Sequence, residues 1–250
     1  KNVQQWSADV GRIRRRRSSR VRTPSRRRGD RLGKARDRFA AIAALDGDDL
    51  LGEALYLGAE CCRRLGDYPG AVQRSKRLLE AMPQHDRSQR ARLLMGECAL
   101  LAKTPDEAIA PLVQFLAKHD PATDAVARAD SARANLWLGD ARMQRQEYVA
   151  AEACFGEAVK ASDGSLAAQA QFRLGESRAM RQDLDGAIDA LVKLPILYRD
   201  PVWVPRGLLK AGQLYLQLKQ PEKANVLFEE LLEKHQGSDE AKSAADLMKR

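Results

Sequence analysis

Aromatic residues are scarce in this chain, at 5% of 250 residues, while Ala, Leu and Arg abound, which argues against a sheet-rich core and for many helices. Glycine and proline are also few, at 17 and 10, and they fall at nearly regular intervals between apolar stretches rather than in one linker. No stretch approaches the roughly 20 consecutive apolar residues that a membrane-crossing helix needs. The first 30 residues lack the apolar core of a secretory signal and the chain begins with Lys1, so any targeting segment is expected either upstream or not at all. The four cysteines, Cys61, Cys62, Cys98 and Cys154, form no Cys-x-x-Cys pair and have no histidine at metal spacing. Neither a metal nor a cofactor is expected.

The formal charge of +9 is unevenly distributed. Residues 1–38 hold fifteen Lys or Arg against Asp9, Asp30 and Asp37, a local net of +12, which leaves −3 on the other 212 residues. The basic character therefore belongs to one terminal segment, and nucleic acid is a candidate partner only through residues 12–38.

Five segments share one pattern, a mostly apolar residue, Gly, then usually a small or acidic residue: Leu57-Gly58-Ala59-Glu60, Met95-Gly96-Glu97-Cys98, Leu138-Gly139-Asp140-Ala141, Leu174-Gly175-Glu176-Ser177 and Ala211-Gly212-Gln213-Leu214. An alanine follows each glycine by twelve residues (Ala108, Ala151, Ala187, Ala224) or, at Ala71, by thirteen. Successive alanines stand 37, 43, 36 and 37 residues apart, the period of a helical hairpin repeat with one longer unit. Gly on the first helix and Ala on the second let two backbones approach. Phe155, Leu191 and Phe228, one turn past their alanines, place a large side chain on the same face.

The turns carry matching signals. Thr104-Pro105-Asp106-Glu107 reads as a capped helix start with Glu107 placed to close a capping box, and Gln220-Pro221 repeats the proline. Tyr68 and Tyr148 fall at the corresponding turns of other units. Met82-Pro83, Asp120-Pro121, Ser162 to Ser165 and Gln236-Gly237-Ser238 separate the units, and Asp239 to Arg250 supplies a closing helix.

On these residues the chain resembles the tetratricopeptide repeat family over roughly residues 50–250, the unit from Asn135 to Asp163 matching best. The resemblance implies an all-α right-handed α-solenoid of about five helical hairpins with a C-terminal capping helix. The implied role is a non-catalytic scaffold holding a partner peptide or helix in its concave groove. The Leu-Gly-Glu pattern and the ending Phe228 to His235 also resemble repeat proteins of the bacterial Tol-Pal and outer-membrane assembly systems, which implies a cell-envelope role and a periplasmic address; otherwise a cytoplasmic one.

In such arrays the first helices line the groove, which makes Glu60, Glu97, Asp140 and Glu176 a row of carboxylates there. Arg90, Arg133 and Arg206 lie six residues before their glycines, and Tyr56, Leu93, Leu136, Phe172 and Leu209 are the candidate apolar anchors. Two readings stay open: a partner-binding stripe, or acids and arginines paired between units as a solvated face. The family's carboxylate-clamp members use asparagine and lysine in the groove; acids stand here instead, which disfavours a free C-terminal carboxylate as ligand.

A 36-residue step back from Ala71 reaches Ala35, then Phe39 and Ile42, a further second helix, but the Arg-rich sequence before it has no apolar stripe. Residues 1–30 are accordingly read as disordered or as an aberrant gene start, and 31–250 as the repeat domain. The cysteines read as core filler, since packed helix axes stand roughly 8–10 Å apart, too far for a Cys61–Cys98 bridge. His85, His119 and His235 sit near ends of second helices, where a cation complements the dipole. No catalytic residue is expected. The competing functions are an anionic-surface or nucleic-acid protein acting through the tail, and the regulatory repeat region of a longer enzyme.

Overall fold

The computed structural model describes residues 24–43, 48–118, 122 and 124–249. All regular structure there is helical: α1 Pro24–Ile42, α2 Asp48–Leu65, α3 Tyr68–Ala81, α4 Ser88–Leu101, α5 Pro105–Lys118, α6 Ala125–Gln144, α7 Tyr148–Ala161, α8 Gly164–Met180, α9 Leu184–Leu191, α10 Leu194–Leu197, α11 Trp203–Gln217, α12 Pro221–Lys234 and α13 Asp239–Met248. Five hairpins run in series, α2–α3, α4–α5, α6–α7, α8–α9 and α11–α12, preceded by the lone α1 and closed by α13. Successive first helices pack directly on one another, whereas successive second helices make no comparable contact. The first helices therefore form the inner, concave side.

Each hairpin closes by the same turn. One or two residues past the end of the first helix the backbone turns left-handed, at Gly66, Lys103, Gln146, Gln182 and Lys219, with φ between 59° and 79°. The next N–H then bonds five residues back, as in Asp67 to Cys62 and Glu147 to Arg142, while the left-handed residue's own N–H bonds three back, as in Gln146 to Met143. This double bond pattern satisfies the free carbonyls of the helix end. It also uses the N–H of Thr104, which donates to the Ala99 carbonyl. The expected capping box is therefore not closed: Thr104 Oγ1 meets Glu107 Oε2 side chain to side chain instead, at 3.0 Å.

The seam inside each hairpin explains the Gly–Ala spacing. A β-carbon added to Gly96, Gly139, Gly175 or Gly212 would overlap Leu112, Phe155, Leu191 or Phe228, the residue sixteen positions on and one turn past the alanine. Those four large side chains are fully or almost fully buried, as are Ala108, Ala151, Ala187 and Ala224. In the first hairpin, whose alanine comes one residue later, the stem of Arg74 lies against Gly58.

Two departures from regularity matter. Helix α1 starts at Pro24, inside the segment read as disordered; proline at a helix start and a run of arginines, good helix formers, suit that position. Residues 1–23 lie outside the described residues, as do His119, Asp120 and Pro121 of the expected turn and end-of-helix features. The fourth hairpin has a shortened second helix of eight residues, after which Lys193-Leu194-Pro195 redirects the chain into α10 and buries Leu194 against Gly207. Pro195 is the sequence signal for that break. Among the described residues no helix is long and apolar enough to cross a membrane.

Candidate functional site

On an α-helix, residues three or four apart share a face. The position three before each glycine therefore looks into the seam with it, while the positions two before and one after form a separate row. This corrects two expected groove anchors. Leu136 is buried among Ala151, Phe155, Ala158 and Ala170, and Phe172 is buried against Trp203 with ring centroids 5.4 Å apart. Leu93 and Leu209 are half-buried against the core clusters. Tyr56, the equivalent of Leu93 in the first hairpin because its alanine lies thirteen rather than twelve past the glycine, is half-buried against the core with the Arg87 guanidinium 5.4 Å from its ring centre, so the row two before the glycines is carried by other residues.

The same row brings in two residues that the sequence reading passed over, Trp137 and Arg173, each two before its glycine. Trp137 is half-buried at the base of a cleft of about 290 Å³ on the concave side, walled by Glu97, Leu100, Leu101, Asp140, Met143, Gln144 and Arg173 from α4, α6 and α8.

The four carboxylates lie along this surface but are unequally satisfied. Glu60 accepts from Arg63 Nε at 3.0 Å, Arg63 Nη2 at 2.9 Å and Arg64 Nε at 2.9 Å. Glu97, one hairpin on, has only the far side of the same guanidinium, Arg63 Nη1 at 3.5 Å. Arg173 is shared in the same manner: Nη1 donates to Glu176 at 2.8 Å, while Nε lies 3.1 Å from Asp140 but out of line for a hydrogen bond. Both arginines bridge adjacent hairpins.

Burial pushes the Asp140 carboxyl up to about 6; Arg173 opposes the shift and Glu176 adds to it. Burial also raises Glu97, with Arg63 opposing, Glu60 reinforcing and Arg133 opposing more weakly. Glu60 moves the other way, because burial is outweighed by its hydrogen bonds from Arg63 and Arg64.

Two of the three arginines expected opposite these acids make their contacts elsewhere. Arg133 pairs with Asp130 at 2.8 Å on its own helix. Arg206 lies over the Trp203 ring at 4.9 Å and reaches Glu240 of the closing helix at 3.4 Å. Arg63 was detectable as the residue three after Glu60, and Arg173 as the residue three before Glu176; their second acids lie on neighbouring helices, beyond any local spacing.

A second cleft of about 410 Å³ joins the start of α6, the end of α7 and the start of α8, lined by Arg128, Arg133, Lys160, Asp163 and Leu166 with small residues. It presents no aromatic anchor, and Lys160 is already paired with Glu157 at 2.8 Å. All four cysteines are buried and free, with burial pushing Cys62 up to about 11 and Cys98 up to about 12, so these thiols are inert. Among the described residues no group of three or more His, Cys, Asp or Glu could hold a metal ion. His85 Nδ1 accepts the Arg87 N–H at 3.1 Å, a local turn contact. Of the basic segment considered for nucleic acid, residues 12–38, the part from 12 to 23 lies outside the described residues and the rest belongs to α1.

Residues 114–165 and 138–195 match one family model described as tetratricopeptide repeat, and residues 206–238 match another of the same description. No curated protein matches the chain. Among solved structures, MamA is 25% identical with a TM-score of 0.58, the match covering 71% of this chain and 94% of that one. BtubC from P. vanneervenii is 17% identical at a TM-score of 0.61, covering 91% and 93%. PilW, described as a widely conserved type IV pilus biogenesis factor, is 18% identical at 0.61, covering 87% and 92%. The fold these likenesses share is the all-α, right-handed solenoid.

Proposed function

We propose that this array of tetratricopeptide repeats is a protein-interaction scaffold that holds a peptide or helix of its partner in the concave groove, with Trp137 as the central anchor. Repeats of this kind generally serve as non-catalytic scaffolds. The observation that carries the reading is the cleft around Trp137, where a half-exposed indole and the side chains of Leu100, Leu101 and Met143 offer apolar contact on a surface otherwise ringed by charge. Aromatic side chains in such settings dominate binding energies, and neighbouring polar groups fix the register.

The test is selection of binders from a displayed peptide library, followed by hydrogen-exchange mapping of the complex. Slowed exchange confined to α4, α6 and α8, and loss of binding by at least about tenfold in Trp137→Ala, is the expected result. Protection confined to the second helices, with Trp137→Ala binding normally, would overturn it.

The setting we propose is bacterial cell-envelope assembly. Its support is the likeness in repeat style to Tol-Pal and outer-membrane assembly proteins, carried by the Leu-Gly-Glu pattern and the 36 to 37 residue period. Recovery of the native protein with the periplasmic or membrane fraction of its host is expected; recovery in the cytosol alone would remove this part of the reading.

A further inference from the structure

We infer that the Trp137 cleft is a receptor for one long cationic side chain, a Lys or Arg presented by the partner segment between apolar residues. The inference rests on the groove being the partner's seat and adds the chemistry of what enters it.

Three observations converge. The first is the lining: the apolar surfaces of Leu100, Leu101, Met143 and Trp137 suit a methylene stem, with Leu101 still about half exposed at 49%, while the carboxylates of Glu97 and Asp140 stand at the wall to meet a charged head. The indole face adds attraction for a cation.

The second is the state of those two carboxylates. Glu60 receives three N–H donors at 2.9–3.0 Å, whereas Glu97 has a single contact at 3.5 Å and Asp140 a single misaligned one at 3.1 Å. Every charged group facing them is already committed: Arg63 and Arg64 of α2 to Glu60, Arg173 of α8 to Glu176, and Arg133 of α6 to Asp130. The cleft itself is thus lined by two acids and one shared guanidinium. An entering cation supplies the missing donors, and an entering carboxylate meets repulsion.

The third is burial. The Asp140 and Glu97 side chains are only 19% and 26% exposed, so their solvent contact is small and their pairing with an incoming charge is weakly screened. The same burial is the main cause of the upward shift of both acids.

The probes are three amidated amphipathic helical peptides of one length, built from Leu with Lys, Leu with Gln, and Leu with Glu. They are titrated into the full chain by calorimetry while the indole N–H resonance of Trp137 is followed by NMR, assigned through Trp137→Phe. The Leu–Lys peptide is expected to shift that resonance and to bind about tenfold or more tighter than the Leu–Gln peptide, with the Leu–Glu peptide not bound. Glu97→Gln and Asp140→Asn, singly and together, are expected to bring the Leu–Lys affinity down toward the Leu–Gln value, so that the ratio of the two affinities approaches one. Both replacements are nearly isosteric, and thermal unfolding checks that each variant is folded.

If the Leu–Gln and Leu–Lys peptides bind equally and both move Trp137, the groove reading stands and the cation receptor falls. Insensitivity of Leu–Lys binding to the double substitution overturns the receptor as well. If no peptide moves Trp137, both readings fall together.

Discussion

The seam between paired helices and the concave row beside it are built from the same first helices, yet they treat charge in opposite ways. In the seam, Gly139 meets Phe155 and Gly212 meets Phe228 beside fully buried alanines, and Gln171, a polar side chain that does enter, donates to the Ala190 carbonyl at 2.8 Å. On the concave row, four carboxylates share two principal arginines, and Asp140 and Glu97 remain short of donors. One face is arranged for stability. The other keeps charged groups in a state that stability alone does not favour, as expected of a surface that completes its contacts with a partner.

The comparison breaks hardest in the seam. Phe228→Ala empties a fully buried site facing Gly212 and is expected to cost about 3–5 kcal/mol, read as a lowered denaturation midpoint. On the concave row the effects are smaller and depend on pH. Arg173→Met removes the cation shared by Asp140 and Glu176. Because Arg173 is itself about a third exposed, the loss is expected near 2 kcal/mol at neutral pH rather than the larger value of a fully buried pair. The loss should shrink at pH 5, where Asp140 takes up a proton.

Asp140→Asn should go the other way. The folded chain holds the Asp140 proton up to about pH 6, against 3.8 for an unperturbed carboxyl, so this group's contribution to stability falls as pH rises through that interval. Above it the wild-type chain carries the full penalty. The asparagine variant is then expected to be more stable by about 1 kcal/mol at pH 7, the amide itself remaining partly buried, and no more stable near pH 4. Thermal unfolding across pH 4–8 measures both arms, with Arg173, Glu176 and Glu97 as the charged neighbours that set the slope. The smallest effect is expected at the turns: Gln146→Gly relieves a left-handed backbone with φ of 62° and should stabilise by roughly 0.5 kcal/mol.

The seam was legible because it repeats in one dimension. A fixed glycine-to-alanine distance of twelve, and a large residue one turn further on, are consequences of helix geometry that survive in the linear chain. The turns were legible only in part: Tyr68 and Pro105 marked their places, but the left-handed residues are Lys103, Gln146, Gln182 and Lys219, which carry no glycine signal. The groove was harder. Leu136 and Trp137 are adjacent and both apolar, and a single 100° step of the helix places the first in the core and the second in the cleft. The acids were recognised from their position after the glycines, whereas Arg63 and Arg173 were not, because each serves one acid on its own helix and a second on an adjacent hairpin.

Hairpin pairing and the close-packed seam were thus determined by the sequence itself, since each depends on residues within about forty positions and on the periodicity of a single helix. The charge state of the groove and the partial burial of Trp137 were decided by tertiary structure. Burial and the sharing of one guanidinium between two carboxylates are properties of neighbouring hairpins in contact, and no one repeat contains them.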